Sequence, residues 1–183
     1  SYYYLITAQN SVMESENSVV IKAIPGEFAG GDGSVNNPYQ IATPKHLNRV
    51  RDYLASHFIL ISDIDLSEQD LSKESWYSLD YGWFPIGDSS SPFLGTFDGQ
   101  NHKIMNLTIS ARNFDENGLF GTAGGWEATQ KSTIKGVIIE QCNIVGGGNT
   151  GSLAGINNGL IDNCSSSGLV SGLGNTGGFV GNN

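Results

Sequence analysis

The sequence predicts an all-β protein, a right-handed parallel β-helix of about four coils, closed at its N-terminal end by a short α-helix. Three observations carry that expectation. Of 183 residues, 25 are glycine and only 15% are charged. Glycine costs a helix interior roughly 1 kcal/mol relative to alanine, but it serves tight turns. An apolar pair followed by glycine recurs as FLG, LFG, LAG and FVG, placing Gly95, Gly121, Gly155 and Gly181 at intervals of 26, 34 and 26 residues. Each interval holds only short apolar runs, too little to bury a face without its neighbours. Strands stacked about 4.8 Å apart lay like residue over like and satisfy one another's backbone groups. A β-propeller blade is the competing repeat, but it needs roughly 40 residues and four antiparallel strands.

In chain order, residues 1–27 carry YYYLIT and SVVIKAI around a polar middle, which suits a hairpin or the tail of a preceding domain. Residues 28–66 hold the capping helix and first coil. GGDG and NNP are turn signals, and Thr43 before Pro44 reads as an N-cap followed by proline at the first helical position. Leu47, Val50 and Leu54 recur at helical spacing, so a helix over 44–55 is expected to lie across the first coil, with Arg49 and Arg51 toward solvent. HFILISDIDLS supplies the first core strands, with Phe58, Leu60 and Ile64 or Leu66 inward.

Residues 67–183 are read as the coils, interrupted by a long loop at 67–92 and by an insertion at about 122–132. The insertion absorbs the excess of the one long interval. Ile104, Leu107 and Ile109 are aligned with Ile134, Val137 and Ile139, and with Ile161, Cys164 and Ser166; Asn106, Gly136 and Asn163 bend the backbone between them. A weaker third strand places Ile144 and Val145 against Leu169 and Val170. NTGSLAGIN and NTGGFVGNN bring Asn149 and Asn175 to one coil's spacing, where their amides would ladder. The sequence stops on a strand, so further coils are expected after Asn183.

The net charge of −9, from 9 basic and 18 acidic residues, argues against nucleic acid and against an anionic membrane surface, both of which need a basic face. No apolar run approaches the roughly 20 residues that span a bilayer, and no basic n-region opens the chain. Two cysteines are too few for a disulfide framework. Cys164 is expected inward and inert, and Cys142, 22 residues earlier, falls short of a coil's spacing for pairing.

Candidate chemistry is sparse. Asp63 and Asp65 alternate on one strand and share a face, which makes them weak calcium candidates or paired acids; the competing assignment has them receiving turn amides. Asp98 precedes Gly99, a turn signal. Arg49, Arg51 and Arg112 lie outside strands with carboxylate clusters, which weakens a lyase assignment. Within loop 67–92, Trp76, Tyr77 and Tyr81 beside carboxylates offer flat aromatic surface to a sugar or a protein partner. Trp126, in the insertion, is a second contact candidate, and Trp83 with Phe84 is expected to plug the side of the first coils.

The strings GGDGSVNNPYQI, HFILISDIDLS, WFPIG, PFLGTFDGQNHKIMNLTI and NGLFG resemble the N-terminal module of bacterial surface proteins that carry GLUG repeats, and SLAG and GFVGNN resemble the GLUG motif itself. Such repeats also occur in the non-catalytic part of streptococcal immunoglobulin-A-specific metalloproteases. The resemblance covers about residues 28–183. It implies an extracellular β-helical region of adhesion type, whose partner is a host protein or surface glycan. No HExxH occurs, and His46, His57 and His102 lie far apart. The expectation is therefore a module that is not an enzyme and carries no cofactor, bound for the bacterial cell surface. A carbohydrate-binding or polysaccharide-cleaving β-helix and a spacer region of a secreted protease are the alternatives.

Overall fold

The computed structural model describes residues 2–4, 21–23, 26–67, 77–78, 80–127, 129 and 131–183. Tyr2–Tyr4 pairs antiparallel with Ile21–Ala23. From Tyr39 onward the described residues form mostly short strands with one short α-helix, and successive passes pair in parallel. The first sheet takes its five strands in chain order: Tyr39–Ile41, His57–Leu60, Thr96–Asp98, Thr133–Lys135 and Leu160–Asp162. One residue from each stacks in register, as Tyr39, Phe58, Phe97, Ile134 and Ile161.

The second sheet stacks Ile64–Asp65, Lys103–Met105, Ile138–Gly146 and Ser165–Ser171, with Thr108–Ala111 along the far half of the long strand. The third contains Phe120–Ala123, Ala154–Asn157 and Val180–Asn182. Ile86 and Phe93 bridge in parallel to Phe120 and Ala123 and extend it by a further pass.

Opposite-pointing side chains sort themselves as a strand requires. In His57–Leu60, Phe58 and Leu60 are buried while His57 and Ile59 are half-buried. Ile64 and Leu66 both face inward. Residues from the three sheets meet in one core, where Phe97, Phe120, Ile104, Leu107, Ile139 and Ile144 have no exposed surface. Burying each fully contributes about 1.5–3 kcal/mol.

The helix begins as expected, with the Thr43 hydroxyl accepting from the His46 amide at 3.2 Å. It is shorter than its periodicity suggests: Pro44–Arg49 is α-helical and Val50–Asp52 is one 3₁₀ turn. Tertiary contacts end it. Tyr53 leaves the helix to pack on Phe28 and Tyr39, and the Leu54 carbonyl accepts from the amides of Leu94 and Gly95. Leu47 and Val50 are fully buried. Arg51 does not face solvent; it is tied into the side wall described below.

Two registers differ from the sequence expectation. Gly121 does lie level with Gly155, and Gly155 with Gly181. On the other side of Gly121, however, stands Gly87, because Ile86 pairs with Phe120. A Cβ on Gly121 would sit 2.2 Å from the Gly87 carbonyl oxygen, closer than any side chain tolerates. Gly95 belongs to another column, level with Ser132, and is glycine because a Cβ there would meet the Ser56 carbonyl at 1.8 Å. WFPIG and PFLG share one grammar eight residues apart, and the sequence alone did not separate them.

The second difference is a shift by one corner. Ile104 stacks on Ile139 and Ile109 on Ile144, whereas Ile134 stacks between Phe97 and Ile161. Leu107 therefore meets Cys142, and Val137 meets Cys164, whose sulfur lies 3.4 Å from the Val137 amide. Asn106 and Gln141 turn one corner with φ of 60° and 56°; Gly136 and Asn163 turn another with φ of 60° and 47°. Both corners show the same apolar–x–turn–apolar spacing, with Asn or Gly at the turn in three segments and Gln141 in the fourth, hence the confusion. Between the third sheet and the first, one pass uses residues 124–132 and the next only residues 158–159.

Candidate ligand groove

The side wall beside the helix is built around Arg51. Its Nε donates to the Asn48 carbonyl and to Asn48 Oδ1, at 3.1 and 2.7 Å, and its terminal nitrogens donate to the carbonyls of Phe84 and Pro85, at 2.8 and 3.3 Å. The guanidinium lies 5.3 Å from the centre of the Trp83 ring, a cation–π distance. Burial pushes the Arg51 guanidinium below its usual value, and neighbouring Asp52 opposes the shift. Trp83 itself is buried and donates its indole N–H to the Leu119 carbonyl at 3.2 Å. This is the plug expected of it.

Next to that wall the chain makes a serine turn. The Asp88 carboxylate accepts from the Ser90 hydroxyl and from the amides of Ser90 and Ser91, at 2.6, 2.9 and 2.8 Å. The Ser90 hydroxyl foremost, with these amides, holds the Asp88 carboxyl below its ordinary value. One oxygen of Glu116 accepts from the Ser89 amide at 2.8 Å and from the Thr122 hydroxyl at 2.9 Å, which fixes the turn to the following pass. Between this turn, the end of the helix and residues 113–116 lies a groove of about 850 Å³. Phe84 and Phe114 form one side, ring centres 5.9 Å apart and 29° from parallel. Tyr81 packs at a tilt against the same pair, 5.5 Å from Phe114 and 6.5 Å from Phe84.

Of the residues that the sequence offers to a ligand, Tyr81 reaches this cluster. Tyr77 contributes its backbone to a short antiparallel pair with Gly82–Trp83, and Trp76 lies outside the described residues. Trp126 is 69% exposed on the 124–132 loop and does not line the groove. Phe84, Phe114, Asp115, Glu116 and the serine turn were missed. Their signal was the DSSS string inside WFPIGDSSSP, together with the lone aromatic in ARNFDEN.

The strand carboxylates are occupied by turns. Asp63 accepts from the Lys103 amide at 2.9 Å and contacts His102 Nδ1 at 3.1 Å; these contacts, the amide first, lower its pKa. Asp65 is lowered by the Asn106 side-chain amide at 2.7 Å, then by the Ser67 amide. Asp98 holds the Gln100 amide and the Lys135 ammonium. Among the described residues no group of three or more His, Cys, Asp or Glu side chains is placed to hold a metal. His46 lies by the Ala42 amide and His57 by the Thr96 hydroxyl. Burial pushes the thiols of Cys142 and Cys164 up, and the two are not bonded to each other. Asn175 donates to Asn149 across one pass at 2.9 Å. Among the described residues no helix is long and apolar enough to cross a membrane.

No family model matches the chain. It is 33% identical over 170 residues to a protein of Evansella cellulosilytica named as a Gly-rich membrane protein, covering 89% of this chain and 17% of that one. It is 31% identical over 155 residues to halomucin of Haloquadratum walsbyi, covering 82% of this chain and 2% of halomucin. The chain thus spans less than a fifth of either relative. Among solved structures, a protein of Bacteroides ovatus named as an immunoglobulin A1 protease shares the fold with a TM-score of 0.51 at 19% identity, over 86% of this chain and 65% of that one.

Proposed function

We propose that this chain is a non-catalytic module of a larger extracellular or cell-surface protein of the GLUG-repeat kind, wound as a right-handed parallel β-helix. The observation that carries the proposal is the pass-over-pass register. Phe58, Phe97, Ile134 and Ile161 stack in one column, and Ile64, Ile104, Ile139 and Ser166 in another. An array whose passes contact only their neighbours suits an extended presenting shaft. Two features support surface display: the relatives are named a membrane protein and a halomucin, and the chain is a small fraction of each. The non-catalytic part is supported by Asp63, Asp65 and Asp98, whose carboxylates already hold turn amides and side chains.

A spacer within a secreted protease is the second reading, favoured by the fold shared with the protein named as an immunoglobulin A1 protease. One experiment tests the non-catalytic proposal. Incubated with immunoglobulin A1 and with a polysaccharide panel, the purified chain should release no fragments. Turnover that disappears in Asp98→Asn or Asp63→Asn would overturn it.

A further inference from the structure

We infer that the side groove is a binding site for a neutral oligosaccharide. Its volume, about 850 Å³, lies within the roughly 300–1,000 Å³ of small-ligand sites. Two chemistries meet in it. Phe84 and Phe114 are half-buried and nearly parallel, and Tyr81 packs against Phe114 from outside the groove lining. A sugar ring lays its C–H face on such a platform.

Facing the platform are donors and acceptors together, which is what hydroxyl groups require, since each donates and accepts at once. Each terminal nitrogen of Arg51 makes one bond, to Pro85 or Phe84, and carries a second N–H. Ser89 and Ser91 are exposed beside it. Asp115 and the second oxygen of Glu116 supply acceptors, while the first Glu116 oxygen locks the serine turn. The charge balance disfavours anions. Four carboxylates, at Asp52, Asp88, Asp115 and Glu116, line the groove around a single guanidinium and repel uronates and sulfated glycans. The inference stands on the side wall alone and does not depend on where in a longer protein the chain sits.

The test uses the 183-residue chain on an array of neutral gluco-, manno-, galacto- and N-acetylglucosamine oligosaccharides, with uronate and sulfated oligosaccharides as the counter-set. The best-retained neutral glycan is then titrated against Asp115→Ala, Phe114→Ala and Trp126→Ala. Expected are retention of neutral glycans only and a loss of about ten-fold or more in affinity for each groove variant, with Trp126→Ala unchanged. Amide shifts should be confined to residues near 84–91 and 113–116. Asp115 is exposed, so its variant keeps the test decisive if Phe114→Ala fails to fold. No neutral retention at millimolar glycan, preferential capture of anionic glycans or a basic peptide, or undiminished binding by Asp115→Ala would overturn the inference.

Discussion

The middle passes and the last pass use the same grammar and end up in different environments. Ile134 has no exposed surface, yet Ile161, its partner one pass on, is half-buried. Ile144 is sealed, and Val170 above it is not. Identical strand geometry therefore does not confer burial here; a neighbouring pass on both sides does. The interior composition follows the same gradient. Phe58, Phe93, Phe97 and Phe120 cluster under the helix with ring centres 5.0 to 6.4 Å apart, whereas the last pass offers Cys164, Ser166 and Gly168. Leu160, Leu169 and Leu173 on that pass are more than half exposed.

The largest expected effect sharpens this contrast. Phe97→Ala should cost about 3–5 kcal/mol, as for deep aromatic truncations, while Ile161→Ala in the same column should cost under about 2 kcal/mol because part of its side chain is already exposed. Urea unfolding of the two variants measures the difference, and equal losses would break the comparison. Next comes Gly121→Ala, expected to cost about 1–3 kcal/mol by overpacking against the Gly87 carbonyl. Gly178→Ala, where a Cβ meets nothing within 4 Å, should leave the thermal midpoint unchanged.

A smaller loss, about 0.5–1 kcal/mol, is expected for Asn175→Leu, which removes the amide rung to Asn149. No loss at all would count against an amide ladder.

The smallest effect is electrostatic. Burial pushes the Asp98 carboxyl up, but the Gln100 amide and the Lys135 ammonium outweigh it and hold the group below its ordinary value of 3.8. A carboxyl depressed in the folded state adds stability that is fully present above its unfolded value and is lost as pH falls through the folded one. Asp98→Asn should therefore lower stability slightly at neutral pH, where the carboxylate's contribution is fully present, and flatten the fall in stability below pH 3.8. An acid titration followed by circular dichroism reads this directly.

Much of this architecture was legible in the residues. Glycine-rich turns, short apolar runs and low charge led to a mostly β chain with parallel sheets, and Thr43–Pro44 marked the start of its helix. Inward Phe58 and Leu60, with Ile64 or Leu66, followed from alternation; the structure buries both of the last two. Register did not, because two corners carry the same local spacing, and which glycine meets which is decided by contacts tens of residues away. The groove was legible only in part. Tyr81 stood out as an aromatic among carboxylates, but Phe114 and Asp115 come from a later pass, and only the stacking brings them to the serine turn. Arg51 looked like a solvent-facing helix residue because helical spacing says nothing of the carbonyls of Phe84 and Pro85 waiting across the wall.

Consecutive passes lie level, with Gly87, Gly121, Gly155 and Gly181 in one line. Nuclear Overhauser contacts in isotope-labelled protein test this most directly. The structure requires cross-peaks from the Gly121 amide to Ile86, whose carbonyl it meets at 3.0 Å, and from Gly121 to Gly155. Contacts from Gly121 to Gly95 instead, or no contact between successive passes, would contradict it.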